Sequence, residues 1–251
     1  MTQQHYLPVD WLNPPENVRA VTTLRVGEPA GPDADSDFQA FNLADHVNDD
    51  PQQVMKNRAK LMADLQLPAE PVWLQQVHGN TVIHLDAVSE KKQQADASIS
   101  TDKGVVCAVL TADCLPVFFC NAIGTEVAIA HAGWRGLHAG IISNTVKAMQ
   151  TAPEDIMVSL GPAIGPASFE VGRDVYDAFI RKDEKNASAF RQTDDEHYLC
   201  DIYQLALNEL CTLGVQEIAG GGYDTYTDRE QFFSYRRHKN TGRMASLIWL
   251  E

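Results

Sequence analysis

A mixed α/β or α+β domain is the fold class this sequence predicts. Segments of helical spacing alternate with β-type runs along 251 residues. Several of those runs follow one another as hairpin-like neighbours, which favours a mixed sheet over a purely parallel wound one. A hydrophobic content of 44% over that length is enough to bury a substantial core, and residues 1–251 are expected to form one domain.

The first run, NVRAVTTLRV from Asn17 to Val26, reads as a strand. GEPAGPDADSD, from Gly27 to Asp37, carries Gly, Pro and Asp at turn-forming density and reads as a mobile loop or lid. Asp50-Pro51 opens PQQVMKNRAKLMADLQL, where Val54, Ala59, Met62 and Leu65 fall at helical spacing and predict a helix of about four turns. β-type runs then dominate: VWLQQV, TVIHLD, GVVCAVL, PVFFC and EVAIAH. AGWRG leads into GLHAGIISNTVKAMQ, whose Leu137, Ile141, Ile142, Val146 and Met149 mark one buried helical stripe. IMVSLGPAIGPASFEVG reads as a strand and a Gly/Pro loop, with short helices from VYDAFI onward. Asp201 is an N-cap for IYQLALNELCTL, which Gly214 terminates. VQEIAGGG, QFFSYR and MASLIWL complete the strands.

Charge narrows the function classes. A net charge of −14 repels phosphodiester backbones and anionic lipid heads, so nucleic acid and membrane surfaces are not expected partners. The N-terminus has no basic region followed by an apolar run, and no stretch reaches the roughly 18 apolar residues of a membrane span. The expected location is the cytoplasm. Cys107, Cys114, Cys120, Cys200 and Cys211 make an odd count, which argues for reduced thiols rather than a disulfide framework.

Three segments end an apolar strand on a reactive side chain: LQQVHGN with His78, AVLTADCLPVFF with Cys114 and VAIAHAGWRG with His131. A sheet holds such groups still while the following loop leaves room for substrate. Two imidazoles and a thiolate make a three-ligand set that leaves the fourth tetrahedral position open for water, the composition of a catalytic zinc site. Spacing does not decide the matter: His78 and Cys114 are far apart in sequence, no C-x-x-C or H-x-x-x-H pattern exists, and a His or Cys beside an apolar strand is also simply packed.

Motifs spread over most of the chain do decide it. FNLADHVNDDPQQVMKNR, WLQQVHGNTV, ADASIS, TADCLPVFF, AHAGWRG, SLGPAIGPASFEVG and FFSYRRHKNTGRMASLIWL closely resemble the YfiH-like family, also called polyphenol oxidase or multicopper laccase-like, and purine nucleoside phosphorylase. The resemblance implies metal ligation and catalysis by His78, Cys114 and His131, and a four-layer α/β/β/α fold related to the cytotoxic necrotising factor catalytic domain. It also implies a zinc-dependent purine nucleoside phosphorylase acting on adenosine, inosine, guanosine or methylthioadenosine with phosphate, and deaminating adenosine as a further activity. The expected partners are therefore small-molecule nucleosides and phosphate, with the chain a monomer or homodimer. Two departures stand out: Pro166-Ala167-Ser168 lies where relatives often carry Cys, and Asp224 where a Cys-Thr pair is common.

Other residues keep two readings. AGWRG before a helix offers backbone N–H groups and Arg135 to phosphate, or Gly133 and Gly136 serve only a tight turn. Asn42 precedes the first helix, and Arg58 within it reaches phosphate or a substrate hydroxyl, or is solvated. Gln76 shares a strand face with His78 and contacts substrate, or bonds within the core. Asp113 orients a ligand histidine or caps a turn. Phe169 and Glu170 supply a stacking ring and a proton-transfer carboxylate, or neither. Arg236, Arg237 and Arg243 form an anion patch or pair with surface carboxylates. Copper-dependent phenol oxidation, the older name's activity, needs clustered imidazoles, and the eight His include no His-x-His pair. A Cys114–His131 hydrolase editing peptidoglycan precursors is the remaining alternative. The H-x-E and P-C-x-x-C signature of the usual zinc deaminases is absent.

Overall fold

Long apolar runs become central strands because both of their faces are covered, and segments with a polar cap become helices. The computed structural model describes residues 5–25, 37–38, 41–87 and 93–251. In chain order these form β1 (Tyr6–Pro8), β2 (Val18–Thr23), α1 (Pro51–Leu65), β3 (Val72–Trp73), β4 (Val82–His84), β5 (Ala97–Ser100), β6 (Cys107–Thr111), β7 (Leu115–Asn121), β8 (Val127–Ala132), α2 (Trp134–Ala139), α3 (Ile141–Ala148), β9 (Ile156–Leu160), β10 (Glu170–Gly172), α4 (Arg173–Lys182), β11 (Phe190–Gln192), β12 (His197–Cys200), α5 (Ile202–Leu213), β13 (Glu217–Gly220) and β14 (Met244–Leu250). The lid expected from Gly27 to Asp37 falls outside the described residues except for Asp37, which is buried, bridges to Thr241 and pairs with Arg25 at 2.7 Å.

Two mixed sheets carry the fold, in the orders β1-β2-β14-β6-β3 and β13-β9-β7-β8-β5-β4, with β10-β12-β11 as a small antiparallel third. Strand side chains alternate between faces. Cys107 and Val109 of β6, Phe118 and Cys120 of β7, Val127 and Ile129 of β8 and Ile248 of β14 form one cluster joining the two large sheets. Ala108, Leu110, Ala245 and Leu247 point the other way and meet Leu61 of α1. Val117, Phe119, Ala128 and Ala130 pack with Ile141, Ile142 and Val146 of α3 and Leu205 and Leu210 of α5. Coverage on both faces explains why these strands read as unbroken apolar runs. No helix among the described residues is long and apolar enough to cross a membrane.

Some expectations need correcting. The stretch read as one helix from Gly136 is two, because Gly140 adopts φ +89°, ending α2 and starting α3. QFFSYR is not a strand: Phe232 N–H donates to the Asp228 carbonyl and Phe233 N–H to Met244 Sδ, so the backbone turns to bury both rings beside Leu24, Ala112 and Met244. VWLQQV pairs with β6 through Val72 and Trp73 and bridges to Gln94 through Gln75, and Gln76 lies off the ladder.

Register assembles one end of the second sheet. Leu115 pairs with Ala132, which sets Cys114, just before β7, across from Gly133, just after β8. Ala97 pairs with Ala130, so Asp96 lies beside His131, whose N–H donates to the Asp96 carbonyl at 2.7 Å.

Candidate metal centre

His131 is the penultimate residue of β8, Cys114 lies in the turn entering β7, and His78 sits in the loop before β4 at φ +58°. A non-glycine residue at positive φ is held there by its surroundings. The cause is Asp96. Its Oδ2 accepts N–H bonds from Val77 at 3.2 Å and Gly79 at 2.7 Å, and its Oδ1 accepts from His78 N–H at 2.9 Å and His131 Nδ1 at 2.8 Å. One fully buried carboxylate thus fixes the His78 loop and the His131 tautomer together. With Nδ1 donating to Asp96, Nε2 is the ring nitrogen left for a metal.

The ligand atoms of His78, Cys114 and His131 lie within 4.8 Å of one another, and the two rings meet edge-on at 4.7 Å. Among the described residues this is the one His/Cys/Asp/Glu group of three or more so arranged. Burial raises the Cys114 pKa, but the charge and hydrogen bonds of His131 and His78 outweigh it and pull the thiol down to about 6. Burial lowers the His131 pKa, but Cys114 and Asp96 push it up to about 9. Burial works against ionisation of Asp96 too, and its hydrogen bonds to His131 and the loop still hold it below the ordinary carboxylate range. A thiol that favours the thiolate and an imidazole with a fixed tautomer fit a metal cation.

Gly133 is required at the lip. A Cβ built there would lie 2.9 Å from Cys114 Sγ and 3.2 Å from His78 Cδ2, although its φ of −66° suits any residue. Gly133→Ala is expected to strain the triad by about 1–3 kcal/mol and to lower metal affinity about tenfold or more, measured by chelator competition. Unchanged affinity would remove Gly133 from this account.

His78 and Cys114 line a cavity of about 220 Å³ together with Trp134, Arg135, Ile164, Phe169, Tyr235, Arg236 and Lys239, with Asp113 beside Cys114, while His131 is buried behind them. Arg135 is one of the residues lining this cavity, and Asn42, Arg58 and Gln76 are not. Asn42 is fully buried, bonding Asp49, Ala44 and Arg243 N–H. Arg58 donates to the Leu43 carbonyl, stacks over Trp73 and lines a different cavity. Gln76 bonds both backbone groups of Leu110 with its amide, at 2.9 and 2.7 Å. Backbone groups take up the amides of Asn42 and Gln76, whereas Arg58 gives the backbone its Nε alone and holds Nη2 3.7 Å from Asp45 Oδ1.

Asp113 does not orient a histidine either. It accepts from Thr225 Oγ1 at 2.7 Å and Arg236 N–H at 2.6 Å. Asp96 has the orienting role, and the signal in ADASIS was a carboxylate opening an otherwise buried strand. Phe169 lines the cavity and Glu170 does not. Arg237 donates to the Thr225, Tyr226 and Phe232 carbonyls and Arg243 to those of Thr241 and Gly242, so these two brace loops.

The two departures from the family pattern touch: Ser168 Oγ donates to Asp224 Oδ2 at 2.5 Å, and Asp224 Oδ1 accepts from Gly165 and Tyr226 N–H, each at 3.0 Å. Burial raises the Asp224 pKa, yet these bonds hold it below its ordinary value of 3.8. A depressed carboxylate contributes stability that is present above its unfolded value and lost as pH falls through the folded one. Denaturant melts are expected to show Asp224→Asn less stable than the parent at about pH 6, with the gap closing toward about pH 3. A gap independent of pH would contradict this.

The scaffold and site define a mixed α/β protein with a His–Cys–His triad that could hold a metal ion, two of whose members, His78 and Cys114, line a pocket. Residues 19–251 match the family described as multi-copper polyphenol oxidoreductase laccase, and the chain belongs to that family, which includes the YfiH proteins. The purine nucleoside phosphorylase YfiH of Escherichia coli is 52% identical over 236 residues, 94% of this chain and 95% of that protein. A purine nucleoside phosphorylase of Pseudomonas aeruginosa is 45% identical over 246 residues, 96% of this chain and 98% of that one. The crystal structure of a Neisseria meningitidis protein matches with a TM-score of 0.91 at 43% identity, covering 99% of this chain and 100% of that one. That of Bacillus licheniformis YfiH matches with a TM-score of 0.86 at 28% identity, covering 93% of each.

Proposed function

We propose that this chain is a zinc-dependent purine nucleoside phosphorylase acting on adenosine, inosine, guanosine and methylthioadenosine, with adenosine deamination as a secondary activity. The observation that carries the proposal is the pairing of the triad with a pocket walled by Trp134, Phe169 and Tyr235 and rimmed by cations, in a chain whose relatives bear that name. Phosphorolysis breaks the C1′–N bond of the nucleoside, forms a C1′–O bond to phosphate and releases the base. Aromatic walls suit a purine face, and cations suit the anion. In this proposal His78, Cys114 and His131 are the ligands and the catalytic centre, and Gly133 and Arg135 contact substrate or phosphate. When bound there, zinc supplies a fixed positive charge facing the pocket. Asp96 holds His131 and the His78 loop in register, and the walls exclude water. The same proposal takes residues 1–251 as one catalytic domain in the cytoplasm, monomeric or homodimeric. The alternation of helix and sheet clusters supports a four-layer arrangement like that of the toxin domain.

The test is chromatography of guanosine or adenosine incubated with enzyme, with and without inorganic phosphate. Free base and ribose 1-phosphate appearing together only with phosphate support the proposal; base released equally without phosphate contradicts it. Copper oxidation is disfavoured by the presence, among the described residues, of one triad where a cluster is needed. The Cys114–His131 hydrolase draws support from one feature, a thiol pulled down to about 6 beside an imidazole pushed up to about 9. Amide cleavage that survives chelation would favour it.

A further inference from the structure

The chain is acidic, with 34 Asp and Glu against 20 Lys and Arg, yet the pocket over Cys114 is lined by Arg135, Arg236 and Lys239 and by one carboxylate, Asp113. Both Asp113 oxygens are engaged, by the Thr225 hydroxyl and the Arg236 N–H. Among the described residues none of the three cations forms an ion pair. Instead each stands over a ring: Arg135 over Trp134 at 4.3 Å, Arg236 over Phe169 at 5.6 Å and Lys239 over Tyr235 at 4.4 Å. Arg236 is braced further, its Nη2 donating to the Glu170 carbonyl at 3.0 Å. Cations left without carboxylates and steadied by rings and backbone form a site for a multiply charged anion.

We infer that Arg236 and Lys239, which line the same pocket as Arg135, bind the phosphate co-substrate. The inference rests on the phosphorolysis proposal for the anion's identity and moves its seat away from Arg58, which lines another cavity. A carboxylate ligand needs one such cation; a phosphate dianion with three free oxygens matches three. The tyrosine-to-lysine turn, Tyr235 to Lys239, therefore contributes a wall and a charge together.

The test titrates the zinc-loaded full chain with inorganic phosphate alone, by calorimetry, and separately measures KM for phosphate and for guanosine. Arg236→Gln is expected to weaken phosphate binding about tenfold, and the Arg236→Gln, Lys239→Gln double variant further, each loss being that of a charge-assisted hydrogen bond. Arg236→Lys is expected to recover most of the loss, and Arg58→Gln to bind as the parent does. KM for phosphate should rise with little change in KM for guanosine. Zinc content and thermal melting confirm folded variants. Phosphate bound as tightly by the double variant as by the parent, or not bound by the parent at all, overturns the inference. Phosphate binding that fails only in the Arg236 and Lys239 variants, with no nucleoside cleaved by the parent, upholds this site and sinks the phosphorylase proposal instead.

Discussion

Asp96→Asn is expected to weaken metal binding by about 10- to 100-fold and to release both histidines at once. The carboxylate meets four donors, two on each oxygen: the N–H groups of Val77, Gly79 and His78, and His131 Nδ1. An amide of the same shape has one oxygen and two N–H donors of its own. At least two native donors then lose their partner in a fully buried place, at about 1–3 kcal/mol each. His78 is the more exposed casualty, since its φ of +58° is held by this network. Chelator competition and thermal melting of Asp96→Asn check both effects. Parental affinity in a folded variant would show that the loop and ring are placed by something else.

Cys114→Ala is expected to abolish stoichiometric metal binding and to reduce phosphorolysis by at least about 10²–10³-fold, the scale set by loss of one preorganised electrostatic group. The side chain is small, so the fold should survive its removal. A ligand bound only by the folded state stabilises by about 4 kcal/mol at a thousandfold excess over its Kd. The rise in melting temperature on adding zinc, expected for the parent, should therefore vanish in Cys114→Ala. A variant that keeps the rise would place the metal elsewhere. Because a Cys–His hydrolase would also lose activity, the melting result and not the rate loss separates the two readings.

The sequence was most legible where local and tertiary signals agreed. Cys107–Thr111, Leu115–Asn121, Val127–Ala132 and Met244–Leu250 are wholly buried strands, and their unbroken apolar runs announce it. Asp201 caps its helix as read, accepting from Gln204 N–H, and Asp50-Pro51 opens the first helix as read, with Asp50 accepting from Gln52 N–H. Strands of two or three residues, such as β1, β3 and β10, are too short to carry a period and exist through their partners. Phe232 and Phe233 resemble strand residues because burial, not extension, selected them. At the site, strand ends pointed to His78, Cys114 and His131, while the family resemblance decided for metal. Asp96 showed in ADASIS only as a carboxylate opening a buried strand; its role as organiser was not legible, since its partners lie in two other segments brought beside it by the pairing of β5 with β4 and with β8. Asn42, Arg58 and Gln76 lie off this pocket for the converse reason: a polar side chain near a motif does not reveal which neighbouring group it will bond.

Zinc stoichiometry of the full chain, purified without added metal and compared with its chelated and zinc-restored forms, tests the metal centre most directly when each form is assayed for phosphate-dependent nucleoside cleavage. The account predicts one zinc per chain, absorption-edge spectra showing nitrogen and sulfur ligands, and activity that leaves with the metal and returns with it. Metal-free protein that cleaves nucleosides at the full rate would contradict it.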